Sequence, residues 1–195
     1  PIAPGVIIGD YIGMVIRTKD VDMTKDKEHL YLMYYHDGAS IFPNIEKPGI
    51  HLLNHSCNPN AWFFIYKGHT LAFTLRHVFP GEELTVSYLL APKKDWCDPC
   101  PHTCKCESMH CHQSMHLTTE KYKKWRFFCE AQVKKDTRVP IRYGKVLPLL
   151  SSYPKTIQDN PIYDLFGDEQ QKPIIIAGAT FPPIKNLRKL IRSTG

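Results

Sequence analysis

Over residues 1–90 the apolar positions fall in short β-branched and aromatic runs broken by glycine, proline and turn-forming polar residues, a pattern of strands rather than helices. Val6-Ile7-Ile8 and Tyr11 to Ile16 are the first two runs, punctuated by Gly5, Gly9 and Gly13. Leu30 to Tyr35 leads through His36-Asp37-Gly38 into Ala39-Ser40-Ile41-Phe42, which predicts a hairpin. Ala61 to Tyr66 and Leu71 to Val78 predict two strands joined by Lys67-Gly68-His69-Thr70, and Leu84 to Tyr88 a last short strand beyond the Pro80-Gly81 turn. The charged stretch from Lys19 to Glu28 reads as a surface loop. Residues 91–117 lose the pattern and become rich in Pro, Cys, His and Ser, too poor in apolar side chains to order themselves without a metal. From Thr118 to Gln132, Tyr122, Trp125 and Phe128/Cys129 recur at helical spacing and predict an amphipathic helix. Prolines at 140, 148, 154, 161, 173, 182 and 183 then break any long helix before Ile184 to Arg192, which predicts a short basic one.

Composition narrows the class. The 195 residues are 43% hydrophobic and 23% charged, which allows a packed core and excludes wholesale disorder. No run approaches the 18 or so apolar residues of a membrane-spanning helix. The net charge of +6 modestly favours an acidic partner. The seven cysteines change the picture most. Six of them (97, 100, 104, 106, 111 and 129) share one short window and Cys57 stands apart, an odd count that suits metal binding in a reducing compartment better than a disulfide framework. A soluble intracellular zinc protein is the expectation. Pro1 opens within a strand-like run, so the sequence is expected to be a piece of a longer chain.

Two segments carry the chemistry. Asn54-His55-Ser56-Cys57-Asn58-Pro59-Asn60 is dense in donors and acceptors between apolar strands, and Glu82-Glu83-Leu84-Thr85-Val86-Ser87-Tyr88 begins 22 residues after it ends. Buried polar groups in such a frame must be satisfied by one another or by a ligand. The arrangement resembles the SET-domain lysine methyltransferases, whose signature is an Asn-His-Ser-Cys-x-Pro-Asn segment followed by Gly-Glu-Glu-Leu-Thr and a catalytic tyrosine. Asn54 to Asn60 match the first motif, and Gly81 to Thr85 with Tyr88 match the second. Gly9-Asp10-Tyr11-Ile12-Gly13-Met14-Val15-Ile16 looks like the family's earlier strand, with Asp10 and Met14 in place of its glutamates. Cys104-Lys105-Cys106, then four residues, then Cys111 has the spacing of the family's post-SET zinc segment.

The resemblance implies a mainly β SET fold, small sheets around a pseudoknot, over residues 1–90, a post-SET zinc segment over 91–117, and a C-terminal extension over 118–195. Three thiols within Cys104 to Cys111 need a fourth ligand for a closed tetrahedral site. The family places Cys57 there, so Cys57, Cys104, Cys106 and Cys111 would hold zinc. Cys97-x-x-Cys100 is left over, with His102, His110, His112, His116 and Cys129 nearby. A second zinc and alternative ligand sets for the first both stay open, beside the plainer reading of a solvated polar loop.

The resemblance also implies S-adenosylmethionine as cofactor, with Asn54 and His55 helping to hold it, although the family's glycine-rich segment does not appear before Pro1 and His51 replaces a family arginine. Tyr88 is the implied catalytic residue, orienting a lysine ε-amine for methyl transfer, and Tyr11, Phe63 and Val86 fall at positions lining the substrate channel. Phe63 and Val86 lack a hydroxyl gate, so more than monomethylation is expected. A histone tail is the default substrate by family frequency, which implies the nucleus. The basic stretch from Lys121 to Lys145, with Arg188, Lys189 and Arg192, is a solvated face or a contact for nucleosomal DNA. Two rivals remain: an inactive SET-like module serving as a zinc-stabilised binding platform, and a nucleic-acid-binding zinc protein.

Overall fold

A computed structural model describes residues 1–21, 31–34, 38–95, 97–108, 111–135, 142–157, 174–176 and 179–181. Much of the expected 19–28 loop, the tip of the first hairpin, and the basic helix over 184–192 lie outside the described residues.

The chain is mainly strand. β1 (Ile7–Asp10), β7 (His69–Thr74) and β6 (Ala61–Tyr66) form one antiparallel sheet in that order. β2 (Gly13–Arg17), β4 (Ala39–Pro43) and β3 (Met33–Tyr34) form a second. β5 (Asn54–His55) and β8 (Thr85–Val86) make a parallel pair, and β9 (Ile174–Ile176) and β10 (Ala179–Phe181) an antiparallel one. α1 spans Thr119–Lys135.

The first sheet is buried on both faces because its side chains alternate between two cores. On β6 and β7, Trp62, Phe64, Leu71 and Phe73 point into one core, which Leu75 and Leu117 complete and Tyr122, Trp125 and Phe128 of α1 cover. Phe63 and Ala72 point the other way, into a core with Tyr11, Val15, Ile41 and Ile50. The aromatic triplet of α1 thus packs as its spacing predicts. Thr118 caps this helix, its Oγ1 accepting the Lys121 N–H at 3.2 Å.

The β6–β7 turn is tighter than the four residues expected. Lys67 and Gly68 take positive φ of 48° and 77°, the geometry of a two-residue hairpin turn, so His69 and Thr70 belong to β7. β7 ends at Thr74, short of Val78; the Leu75 amide still donates in register to the Asn60 carbonyl at 2.8 Å, and Val78 bridges Ile2 instead. Gly13 is required by close approach, since a Cβ there would sit 2.2 Å from the Phe42 carbonyl oxygen across the β2–β4 ladder.

Residues 142–157 strap the outer edges of both sheets. Val15 donates to Lys145 and Leu147 to Gly13, both at 2.9 Å, and Leu147 is buried among β2 and β4 side chains. The Arg17 guanidinium lies 4.8 Å from the Tyr143 ring centroid. Further on, Val6 bridges Thr156, Ile157 donates to the Gly5 carbonyl at 2.7 Å, and the Tyr153 hydroxyl donates to Asp10 Oδ2 at 2.8 Å. Asp10 also accepts from His69 Nδ1 at 2.7 Å. An open sheet edge exposes unpaired backbone groups, and the strap satisfies them. No helix among the described residues is long and apolar enough to cross a membrane.

Candidate active site and metal centre

The two motif segments meet in the short β5–β8 ladder, where Asn54 pairs with Thr85 and His55 with Val86. Two residue pairs are too few to hold distant segments together, and Asn60 supplies the rest. Fully buried, it donates through Nδ2 to the Glu83 carbonyl at 2.8 Å and to Glu82 Oε1 at 3.3 Å, while its Oδ1 accepts the Thr85 N–H at 2.8 Å. Glu82 in turn binds the buried Arg76 guanidinium through both carboxylate oxygens. The Asn54 amide donates to Glu83 Oε1 at 2.7 Å, and the Ser56 N–H to the Val86 carbonyl at 2.9 Å. The predicted strand at Leu84 to Tyr88 therefore shrinks to two residues, and its flanks serve as partners for these side chains.

Tyr88 emerges at the end of this lacing. Its backbone N–H donates to His55 Nδ1 at 3.1 Å, its hydroxyl donates to the Leu53 carbonyl at 3.3 Å, and its ring stays 45% exposed. Accepting at Nδ1 assigns the proton of His55 to Nε2, which faces Cys57 Sγ at 3.7 Å. Burial lowers the pKa of His55 to about 4, so the ring is neutral at physiological pH. Burial, then the neighbouring Tyr31 hydroxyl, raises the pKa of Tyr88, and its phenol keeps its proton.

An aromatic group stands beside Tyr88. Burial, and then the proximity of Tyr88, pushes the Tyr11 phenol well above its usual pKa. Its hydroxyl donates to the Tyr31 carbonyl. Phe63 meets Tyr11 edge-on at 6.1 Å between ring centroids, and the His51 ring lies 6.3 Å from Tyr11 and 6.0 Å from Tyr31. Burial lowers the His51 pKa, so this ring too is a neutral wall. Tyr11 and Phe63 thus gather near Tyr88, whereas Val86 is buried within β8 at 2% exposure. Tyr31 and His51 join the group without having been singled out as channel residues. Tyr31 had no motif to mark it, and only the packing against Tyr11 reveals it.

Two clefts adjoin the site. One of about 720 Å³ is bounded by Asp10, Met14, Phe42, Glu46 and Lys47 and reaches the aromatic group at His51. The other is a narrow seam of about 10 Å³ between the Asn-His-Ser-Cys turn and the cysteine-rich segment, lined by His55, Ser87, Met115, Leu117 and Lys121 among others.

Cys57, Cys104, Cys106 and Cys111 converge, all four sulfurs lying within 4.8 Å of one another. Cys57 Sγ is 3.6 Å from Cys104 Sγ and 4.0 Å from Cys111 Sγ. Tetrahedral zinc with Zn–S bonds of ~2.3 Å separates its sulfurs by about 3.8 Å, which both separations from Cys57 match within about 0.2 Å. Backbone amides support the sulfurs: Cys57 N–H donates to Cys106 Sγ at 3.4 Å and Gln113 N–H to Cys111 Sγ at 3.3 Å. Burial opposes ionisation of Cys106, but the amides of Cys57 and Ser108 outweigh it and bring the thiol down to about 6.

A small-sheet fold laced through an Asn-His-Ser-Cys turn to a tyrosine is the architecture of a SET domain. Residues 1–89 match the SET domain family. The relatives it resembles in sequence are histone-lysine methyltransferases. It is 29% identical over 121 residues to histone-lysine N-methyltransferase Set2 of Drosophila melanogaster, an alignment covering 56% of this chain and 5% of that protein. It is 31% identical over 120 residues to the histone-lysine N-methyltransferase, H3 lysine-36 specific, of Kluyveromyces lactis (56% of this chain, 16% of that protein). The corresponding Candida glabrata protein is 32% identical over 114 residues (53% and 15%). The chain therefore spans less than a fifth of the length of each of these relatives.

Proposed function

We propose that the chain is the catalytic portion of a protein-lysine N-methyltransferase that uses S-adenosylmethionine and acts on a histone tail. The observation that carries this reading is the position of Tyr88, a half-exposed neutral phenol held by His55 and flanked by Tyr11 and Tyr31.

The donor set around β5 fits such a cofactor. The exposed Asn54 amide is fixed by Glu83 at 2.7 Å, and Leu52, two residues before it, is 45% exposed, so a polar donor and an apolar side chain are both open to a ligand. Asn54 and His55 would hold the cofactor, which when bound supplies an electrophilic methyl group. The residues of this chain prepare the amine. A lysine ε-amine keeps its proton up to about pH 10.4 in water, and only the neutral form is nucleophilic. The rings of Tyr11, Tyr31 and Phe63 and the neutral His51 desolvate the ammonium and so lower its pKa. The Tyr88 oxygen accepts an N–H of the amine and orients its lone pair, a role of geometry and fixed dipoles rather than strong basicity. The displaced proton leaves to water along the exposed side of Tyr88.

Zinc on Cys57, Cys104, Cys106 and Cys111 ties the post-SET segment to the turn that carries His55. The unit over 1–90 performs the chemistry, 91–117 closes over it, and 118–195 extends it, with 142–157 bracing the sheets. The substrate chain lies in the cleft beside β4. Neither Phe63 nor Val86 offers a hydroxyl, and that of Tyr11 is occupied by the Tyr31 carbonyl, which favours products beyond monomethyl-lysine. Nuclear localisation follows from a histone substrate. The basic stretch from Lys121 to Lys145 touches nucleosomal DNA in this reading, although Lys124 and Arg126 also pair with Glu120 and Glu130 on α1.

Transfer of radiolabelled methyl groups to core histones, with mass spectrometry of the product, tests the reading. Tyr88→Phe should lower the rate by ~10²–10³ while leaving the zinc content unchanged and the melting temperature lowered only slightly, by loss of one half-exposed hydrogen bond to the Leu53 carbonyl. A monomethyl product alone would refute multiple methylation. No transfer together with no calorimetric binding of S-adenosylmethionine would leave a zinc-stabilised binding module instead.

A further inference from the structure

We propose that Cys97, Cys100, His102 and His116 form a second tetrahedral metal site of the zinc class, nested around the first. The four ligand atoms lie within 4.8 Å of one another. Cys97 Sγ is 3.4 Å from Cys100 Sγ, 3.6 Å from His102 Nδ1 and 3.6 Å from His116 Nε2, and Cys100 Sγ is 3.7 Å from His102 Nδ1. With Zn–S of ~2.3 Å and Zn–N of ~2.0–2.1 Å, a tetrahedral ion requires about 3.8 Å between sulfurs and about 3.6 Å between sulfur and nitrogen. Three of the four distances match within a tenth or so of an ångström, and the sulfurs need only part by a few tenths.

The surroundings of the ligands point the same way. His116 Nδ1 donates to the Ala91 carbonyl at 2.5 Å, which places the lone pair on Nε2 facing Cys97. A backbone carbonyl on the far nitrogen is the usual means of fixing tautomer and ring orientation in a metal-ligating histidine. The His102 and His116 rings stand perpendicular with centroids 5.0 Å apart, so each presents a nitrogen to the same point without stacking on the other. Cys97 is buried, and two thiols with two imidazoles gathered this closely satisfy one another only poorly by hydrogen bonding.

The chain order shows what this site does. Cys97, Cys100 and His102 precede the first site's Cys104, Cys106 and Cys111, and His116 follows them. The second metal therefore clamps the base of the loop whose tip the first metal pins to Cys57. Between the two, Thr103 pairs with Ser114, and Met115 N–H donates to the His102 carbonyl at 2.9 Å, so the two sites share one short ladder. Leu117 N–H donates to the Leu90 carbonyl at 2.9 Å, and Thr118 caps α1. Fixing His116 thus fixes the chain that leaves Tyr88 against the start of α1. The assignment stands whether or not the domain transfers methyl groups.

Metal content of the purified full chain is the test, with zinc as the probe, followed by replacement with cobalt(II). The expected result is two zinc ions per chain, falling to one in the Cys97→Ser/Cys100→Ser variant and to one in Cys106→Ser. Cobalt-loaded wild-type protein should show charge-transfer intensity for six cobalt–sulfur bonds, four from one site and two from the other, as the two ligand sets require. One zinc per chain, four cobalt–sulfur bonds, or two zinc ions retained in the double variant would each overturn the second site. The cobalt measurement on wild type decides the matter even if the double variant does not fold. Loss of the only ion in Cys106→Ser would keep the first site while refuting this one.

Discussion

Asn60→Ala probes the lacing that presents Tyr88. The substitution removes a side-chain amide, itself with no solvent exposure, that accepts from Thr85 N–H and donates to the Glu83 carbonyl, both at 2.8 Å. Glu82 keeps its Arg76 partner, so two backbone groups are stranded. Each unsatisfied buried group costs about 1–3 kcal/mol. The vacated amide volume is polar and about the size of one water, which recovers part of that loss. The net is a destabilisation of about 2–4 kcal/mol, or a melting temperature lower by about 5–15 °C for a domain of this size. Urea unfolding at fixed zinc concentration, followed by fluorescence of the buried Trp62, measures it. Asn60→Asp should be worse than alanine at neutral pH, because a carboxylate oxygen would then face the Glu83 carbonyl and Glu82, and the gap should narrow as the pH falls and the new group protonates. A loss below about 1 kcal/mol for alanine, or an aspartate variant equal to it at pH 7, would refute the role assigned to Asn60.

Chelation of zinc should release the segment over 104–111 and raise protease cleavage there while the two antiparallel sheets persist; unchanged cleavage would argue against the four-thiolate clamp. The folded His55 has a pKa near 4, below its usual 6.5, so the folded protein binds fewer protons between these values. Its contribution is therefore complete above about pH 6.5 and lost as the pH falls towards 4. His55→Gln should flatten this part of the stability–pH curve, and an identical slope in both proteins would count against it. Tyr153→Phe removes the hydroxyl that reaches Asp10 and should cost about 0.5–1.5 kcal/mol, read as faster hydrogen exchange over residues 145–157. No change in exchange would mean that the strap does not depend on that bond.

Much of the architecture is legible in local pattern. The alternation along Ala61 to Tyr66 assigns Trp62 and Phe64 to one face and Phe63 to the other, and both faces are buried as two packed cores require. The spacing of Tyr122, Trp125 and Phe128 gives the buried stripe of α1 in the same way. Strand ends were less legible. Val86 ends its strand early because the Thr85 amide turns to Asn60 Oδ1 and the Tyr88 amide to His55 Nδ1, side-chain partners distant in sequence, and no local period encodes that competition.

Residue chemistry at short range is what the sequence by itself determines: strands from alternation, a helix from its aromatic spacing, a thiol cluster that calls for metal, and a polar turn that must be satisfied. The tertiary structure decides which of these meet. It brings Cys57 to the three later thiols, sets Tyr31 and His51 beside Tyr11, and lays residues 142–157 along two sheet edges. Among the described residues, which leave out His110 and the Cys129 side chain, it also pairs His102 and His116 with Cys97 and Cys100, giving two four-ligand sets where the cysteine pattern alone left several. The reason is physical. Periodicity records which face of an element is apolar, whereas a site built from segments dozens of residues apart depends on how the chain closes on itself, through single hydrogen bonds and ring contacts that leave no periodic trace.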